Sequence, residues 1–244
     1  MSDFSIKPIF KPIQPDVRQS GLYQQRTMSG FLSRLGLFLA ASVASTCQLC
    51  DLNPPQPAQS LCPACWQSLP WFRDALPVML DQDRQPIQVV CHYNWPVDRL
   101  IHLYKYQQRL DLLPLLSTIF LSIAKPDVQA LVAVPSAPER LRQRGFNPVL
   151  LLARQLSDYW QIPLWQPLAR HHTLPQQGLS GQERRSNVQQ AFYIALPRPR
   201  VIPRKVLIID DVMTTGSTLQ QMEVLLSQLG VDEVHSLVLA HARH

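Results

Sequence analysis

Short apolar runs alternate along this chain with longer segments whose apolar residues recur every three or four positions. "IQVVCHYN" (87–94) reads as a strand, and "ALVAVP" (130–135) as a short buried parallel strand ending at a proline. Between them, 96–124 has apolar residues at helical spacing and predicts two helices, broken near Pro114 or at the polar turn before it. A helix over 147–160 has Asn147 as its N-cap and Pro148 at its first position. "IPLWQPLAR" (162–170) suggests another strand, followed by a polar stretch over 171–190. "KVLIID" (205–210) reads as a central strand, 217–229 as a helix closed by Gly230, and 233–242 as a last strand. Strands alternating with helices predict an α/β fold on a mostly parallel sheet.

The 244 residues leave room for one such domain and a small appendage. With 46% apolar and 16% charged residues, the chain can bury a sizeable core, which argues against wholesale disorder. No apolar run approaches the ~18 residues of a spanning helix. The net charge of +6 fits a polyanionic ligand or nucleic acid, although many unrelated proteins share it. "FLSRLGLFLAASVASTC" (31–47) has the grammar of a signal peptide, yet about thirty polar, proline-containing residues precede it and Met28 sits just before it. An amphipathic helix entering a cytoplasmic domain is the preferred reading. The expected division is a loose extension over 1–29, a helix plus cysteine module over 30–80, and the main domain over 81–244.

"CQLC" and "CPAC" place Cys47, Cys50, Cys62 and Cys65 as two C-x2-C pairs separated by eleven residues. Each pair aims two thiolates from one tight turn, and two turns complete a tetrahedral set suited to Zn2+. Two disulfides or a redox C-x-x-C are the alternatives, and neither explains the duplication. A closed four-thiolate site has no open coordination position, so its part is structural. Cys91, in a strand pattern, reads as a buried small residue.

"VLIIDDVMTTGSTL" (206–219) sets an acid pair, Asp210 and Asp211, before a loop of hydroxyls around one glycine. In a parallel sheet ligands bind at the carboxyl ends of strands, where a loop meets a helix N-terminus. The amides and hydroxyls of Thr214, Thr215, Gly216, Ser217 and Thr218 can wrap a terminal phosphate there. The acids make sense if a ribose follows that phosphate, since carboxylates accept hydrogen bonds from vicinal hydroxyls. They also suit Mg2+ bridging ligand and protein. This is neither a Walker A loop nor a dinucleotide fingerprint.

The stretch resembles the phosphoribosyl pyrophosphate (PRPP) motif of type I phosphoribosyltransferases. That resemblance implies a PRPP site over Asp210, Asp211, Val212, Met213 and Thr214–Thr218, with the acids as catalytic residues at the ribose 2′ and 3′ hydroxyls. The four cysteines, "LYKYQ", "VPSAPERLRQRGFN", "LARHHTLPQQGLSGQERRSNV" and the PRPP motif together are similar to the ComF family, competence protein F and GntX-like proteins. The resemblance covers about 30–242. It implies a type I phosphoribosyltransferase fold with a small N-terminal four-cysteine zinc module, and a link to DNA uptake in natural competence.

In the wider family the loop after the buried strand holds pyrophosphate, which nominates Ser136, Arg140 and Arg144, with Arg142 between. Three arginines at a helix start oppose its dipole and call for an anion. The polar stretch resembles a closing loop, with Arg170 and Arg184 as phosphate contacts and Thr173, Gln176 or Gln177, Leu179 and Asn187 matching recurrent positions. Lys105 reads equally as a pocket residue or as a surface lysine beside Tyr104 and Tyr106. His102, His171 and His172 read as packed or solvated rather than catalytic.

Three function classes remain open. One is a phosphoribosyltransferase with an unidentified nucleobase-like acceptor. Another is a Mg2+-PRPP-binding adaptor that supports DNA uptake and handles single-stranded DNA in the cytoplasm, alongside a helicase or a recombination-loading protein. The third is a non-catalytic PRPP sensor. Trp66, Trp71 and Phe72 either stack on nucleic acid or pack the cysteine module onto the main domain.

Overall fold

The computed structural model describes residues 46–55, 60–73, 87–171, 191–195 and 201–242. The expected helix after residue 30 and most of the polar stretch, including Arg184, lie outside them. Four parallel strands form the sheet: β1 (Ile87–His92), β2 (Ala130–Ala133), β5 (Lys205–Met213) and β6 (Glu233–His241), in the order β1-β6-β5-β2. β5 runs between β2 and β6, and Val206–Ile209 are fully buried, as a strand covered on both faces requires.

Helices flank this sheet. α1 (Pro63–Gln67) belongs to the cysteine module, and α2 (Val97–Tyr106) and α3 (Leu113–Phe120) follow β1. The break between α2 and α3 falls at 107–109 and leads through a 3-10 turn (Leu110–Leu112), so the polar turn ends α2 and Pro114 opens α3. α4 (Pro138–Arg144) and α5 (Pro148–Trp160) follow β2, and α6 (Ser217–Leu229) joins β5 to β6. Asn147 caps α5: its Oδ1 accepts from Val149 and Leu150 N–H, while its Nδ2 donates to Val134 O and ties the helix to the end of β2. Gly230 closes α6 at φ 100°, a conformation that favours glycine.

Both sheet edges are covered. Residues 70–72 run antiparallel to β1, with His92 N–H to Pro70 O at 2.7 Å and Phe72 N–H to Val90 O at 2.9 Å. At the other edge, Leu131 exchanges backbone bonds with Pro163 and Trp165. "IPLWQPLAR" therefore forms one bridge beside β2 rather than a full strand, because Pro163 and Pro167 have no N–H to extend the ladder. Its end becomes β3 (Leu168–Arg170), which pairs antiparallel with β4 (Phe192–Ile194) at the two ends of the polar stretch.

Candidate functional site: an acid pair and a phosphate loop at the sheet's carboxyl edge

β5 outruns β2. Its pairing with β2 stops at Ile209, whereas its pairing with β6 continues to Met213↔His241. The acid pair thus lies inside the strand, beyond the end of β2, rather than at the strand terminus expected from "KVLIID" (205–210). The β6 ladder holds the backbone extended through Asp210 and Asp211 and fixes both carboxylates at the carboxyl edge. Val212 and Met213 remain in that ladder. Met213 is buried, and its carbonyl accepts from Ala242 N–H at 2.9 Å.

The chain leaves the ladder at Thr214. Thr214, Thr215 and Ser217 are exposed around a buried Gly216, whose φ of 73° begins α6. The loop is thus open to solvent, and the first N–H groups of a 13-residue helix point toward it. Thr215 Oγ1 lies 3.2 Å from Ser217 Oγ, so the two hydroxyls face a common space.

Both acids are buried. Lys105, near the end of α2, places Nζ 2.7 Å from Asp211 Oδ1. The Lys105 side chain thus turns to the acid pair. Asp210 Oδ1 accepts the N–H of Asp211 at 2.9 Å. Burial, and then the neighbouring Asp211 charge, push the Asp210 carboxyl up to about 8. The Lys105 ammonium offsets charge on the pair and lessens the repulsion that two adjacent acids would impose on an anion at the loop. Asp211 Oδ2 remains a buried acceptor with no hydrogen-bond partner. An ionised oxygen in that state is costly until a hydroxyl or cation reaches it.

The arginines distribute differently from expectation. α4 ends at Arg144, so Arg142 and Arg144 occupy its last turn, where they complement the helix dipole rather than oppose it. Gly145 follows at φ 76° as the left-handed cap. Arg144 stacks its guanidinium 4.6 Å from the centre of the Tyr106 ring. Arg170, on β3, lies over Phe192 and is half-buried; burial and then repulsion from Arg140 lower its affinity for a proton, while Asp210 and Glu139 raise it. Arg140, Arg170 and Asp210 therefore belong to one neighbourhood. Ser136, half-buried, sits in the turn between β2 and α4 at the same edge. Tyr93, which the motifs did not nominate, feels the charges of both Lys105 and Asp211; its only sequence signal is its place just past the end of β1.

The four cysteines converge, with their sulfur atoms all within 4.8 Å of one another. Cys50 Sγ and Cys62 Sγ are 3.9 Å apart, far beyond a disulfide bond and close to the ~3.8 Å edge of a tetrahedron with ~2.3 Å metal–sulfur bonds. Backbone N–H groups of Leu52 and Asn53 hold the Cys50 thiol down at about 6. Burial and the neighbouring thiols push Cys65 the other way. Four thiolates cannot share this space without a cation, so the donor set fits a divalent metal. Trp66, Trp71 and Phe72 pack against the core: Trp71 Nε1 donates to Trp66 O, and Phe72 lies 4.8 Å from the His92 ring. Cys91 is fully buried, and burial raises its thiol to about 12.

A parallel sheet ending in an acid pair, followed by a hydroxyl loop on a helix N-terminus, defines a phosphoribosyltransferase-type domain. In agreement, the family model described as phosphoribosyl transferase domain matches residues 145–244. Competence protein F of Haemophilus influenzae is 34% identical over 165 residues, covering 63% of this chain and 72% of that protein. The DNA utilization protein YhgH of Escherichia coli K12 is 31% identical over 205 residues, covering 77% of this chain and 86% of that protein. Among solved structures, the glutamine phosphoribosylpyrophosphate amidotransferase of B. subtilis matches at 18% identity and a TM-score of 0.36, over 50% of this chain and 25% of that one. The chain belongs to the ComF family of phosphoribosyltransferase-like proteins. Its relatives are named for competence and DNA utilization. Among the described residues, no helix is long and apolar enough to cross a membrane.

Proposed function

We propose that this protein binds Mg2+-PRPP, or a closely related ribose phosphate, at the carboxyl edge of its sheet. In this reading it serves DNA uptake in the cytoplasm by handling incoming single-stranded DNA together with a helicase or a recombination-loading protein. The observation that carries the ligand reading is the buried, unpartnered Asp211 Oδ2 beside an open hydroxyl loop at the α6 N-terminus. A ribose diol supplies the donors that this oxygen lacks, and its 5′-phosphate reaches Thr214–Thr218. Arg140 and Arg170 supply charge for a pyrophosphate, and Ser136 a hydroxyl. Arg144 is held over Tyr106 and contributes less directly.

Mg2+ would be held between the ligand and the acid pair, whose remaining charge suits a hard cation. When bound, it neutralises charge on the pyrophosphate. Lys105 then orients Asp211, and the β6 ladder keeps both carboxylates in place. The four cysteines would hold Zn2+ in a structural role, supporting the module whose residues 70–72 run along the edge of β1. The names of the relatives favour the DNA-uptake reading over a stand-alone transferase with a nucleobase-like acceptor or a PRPP sensor.

Calorimetric titration of Mg2+-PRPP tests the ligand reading. Wild type shows saturable one-to-one binding, and Asp210→Ala/Asp211→Ala shows none. Absence of binding to the folded, metal-loaded wild type refutes it.

A further inference from the structure

The buried side of α2 is formed by Val97, Leu100, Ile101 and Tyr104. Its outward side carries Arg99, His102 and Tyr106, spaced three and four residues apart on one helical stripe, and Trp95 stands in the turn just before the helix. Trp95 is 69% exposed and Tyr106 55%, so core packing does not account for either ring. Exposed aromatics normally scatter singly; here two rings share the stripe and Trp95 adjoins its start, beside Arg99 and His102. His102 stacks on Tyr106 with ring centres 5.0 Å apart, and Arg144 covers Tyr106 at 4.6 Å. At the other end, Tyr93, Trp95, Arg99 and His102, with Asp98, enclose an open groove of about 420 Å3. Asp98 is turned back to the helix start, where Oδ1 accepts the N–H of Arg99 at 2.6 Å.

We propose that this stripe is a binding surface for single-stranded nucleic acid, with bases stacked on Trp95, His102 and Tyr106 and phosphates met by Arg99 and Arg144. The assignment rests on the reading that the protein handles single-stranded DNA, and it names the surface. Aromatic faces set on an exposed helix reach bases only where these are unpaired, since a duplex hides its base faces in the stack. Interleaved arginines supply the charge that the phosphate backbone requires. The ten residues of the helix span about 15 Å, enough for roughly three to five bases. The surface is separate from the hydroxyl loop, although Tyr93 lines the groove and feels the charges of Lys105 and Asp211. It also differs from Trp66, Trp71 and Phe72, whose rings are already packed.

Fluorescence anisotropy with a labelled oligothymidylate tests the assignment. Three proteins are compared: wild type, Trp95→Ala/Tyr106→Ala, and Arg99→Gln. Each is first checked for its melting temperature and for Mg2+-PRPP binding, which these substitutions should leave unchanged. Wild type is expected to bind the oligonucleotide, and an unlabelled duplex to compete poorly. The double variant should bind at least tenfold more weakly, as expected for losing about 1–3 kcal/mol of stacking per base. Arg99→Gln should lower the salt dependence by about one phosphate contact. An oligouridylate arm distinguishes DNA from RNA as the natural source. Double-variant binding equal to wild type overturns the surface. Wild type that binds Mg2+-PRPP but no oligonucleotide also overturns it, and leaves the ribose-phosphate site standing.

Discussion

Replacing Lys105 by methionine keeps most of the side chain's length and removes its charge. In the native protein Nζ sits 2.7 Å from Asp211 Oδ1, with the Lys105 side chain 18% exposed and that of Asp211 5%. Breaking a fully buried ion pair costs about 3–5 kcal/mol, because the surviving charge has no compensation. The partial exposure of Lys105 reduces this. About 2 kcal/mol is therefore expected at pH 7. Urea unfolding at pH 7 measures it. Asp211→Asn in the Lys105→Met background should recover much of the loss, since no charge is then stranded. A variant as stable as wild type at pH 7 refutes the pairing as the element that keeps the acid pair folded.

Two further predictions follow from the same sites. Asp210 is raised from 3.8 to about 8 on folding, so the native state holds a proton that the unfolded chain releases, and this group makes stability fall as pH rises between these values. Asp210→Asn lacks that slope, and its melting temperature should gain on wild type between pH 6 and pH 9; parallel curves would contradict the assignment. Freshly purified reduced protein should release close to one zinc per chain on thiolate modification, with a lower melting temperature afterwards. Protein free of metal yet equally stable would remove the structural role of the four cysteines.

Features set by neighbouring residues were legible in the sequence. Asn147 and Pro148 announce the start of α5 because cap and first turn lie within four residues. The two C-x2-C pairs announce their convergence for the same reason. The parallel α/β architecture was also legible, because buried strands such as Val206–Ile209 are continuously apolar. Features set by distant residues were not. β5 continues to Met213 because β6 runs beside it, so a strand whose apolar run stops at its first acid carries both acids inside it. Lys105 meets Asp211 across 106 residues, which no local spacing encodes. The arginines of "PERLRQR" are dense enough to suggest an anion, but their helix starts earlier than expected and puts Arg142 and Arg144 in its final turn. "IPLWQPLAR" has strand composition, yet its prolines confine it to a single bridge. The stripe on α2 escaped notice because each aromatic is unremarkable alone, and only the buried opposite face shows that it points outward.

The central claim is that the acid pair and the loop after it recognise a ribose with its 5′-phosphate. Displacement of bound Mg2+-PRPP by ribose 5-phosphate, followed by equilibrium competition, tests this most directly, because the competitor carries only those two groups. The account predicts complete displacement at one-to-one stoichiometry. Displacement by inorganic pyrophosphate with none by ribose 5-phosphate would contradict it, since the site would then be reading the pyrophosphate alone.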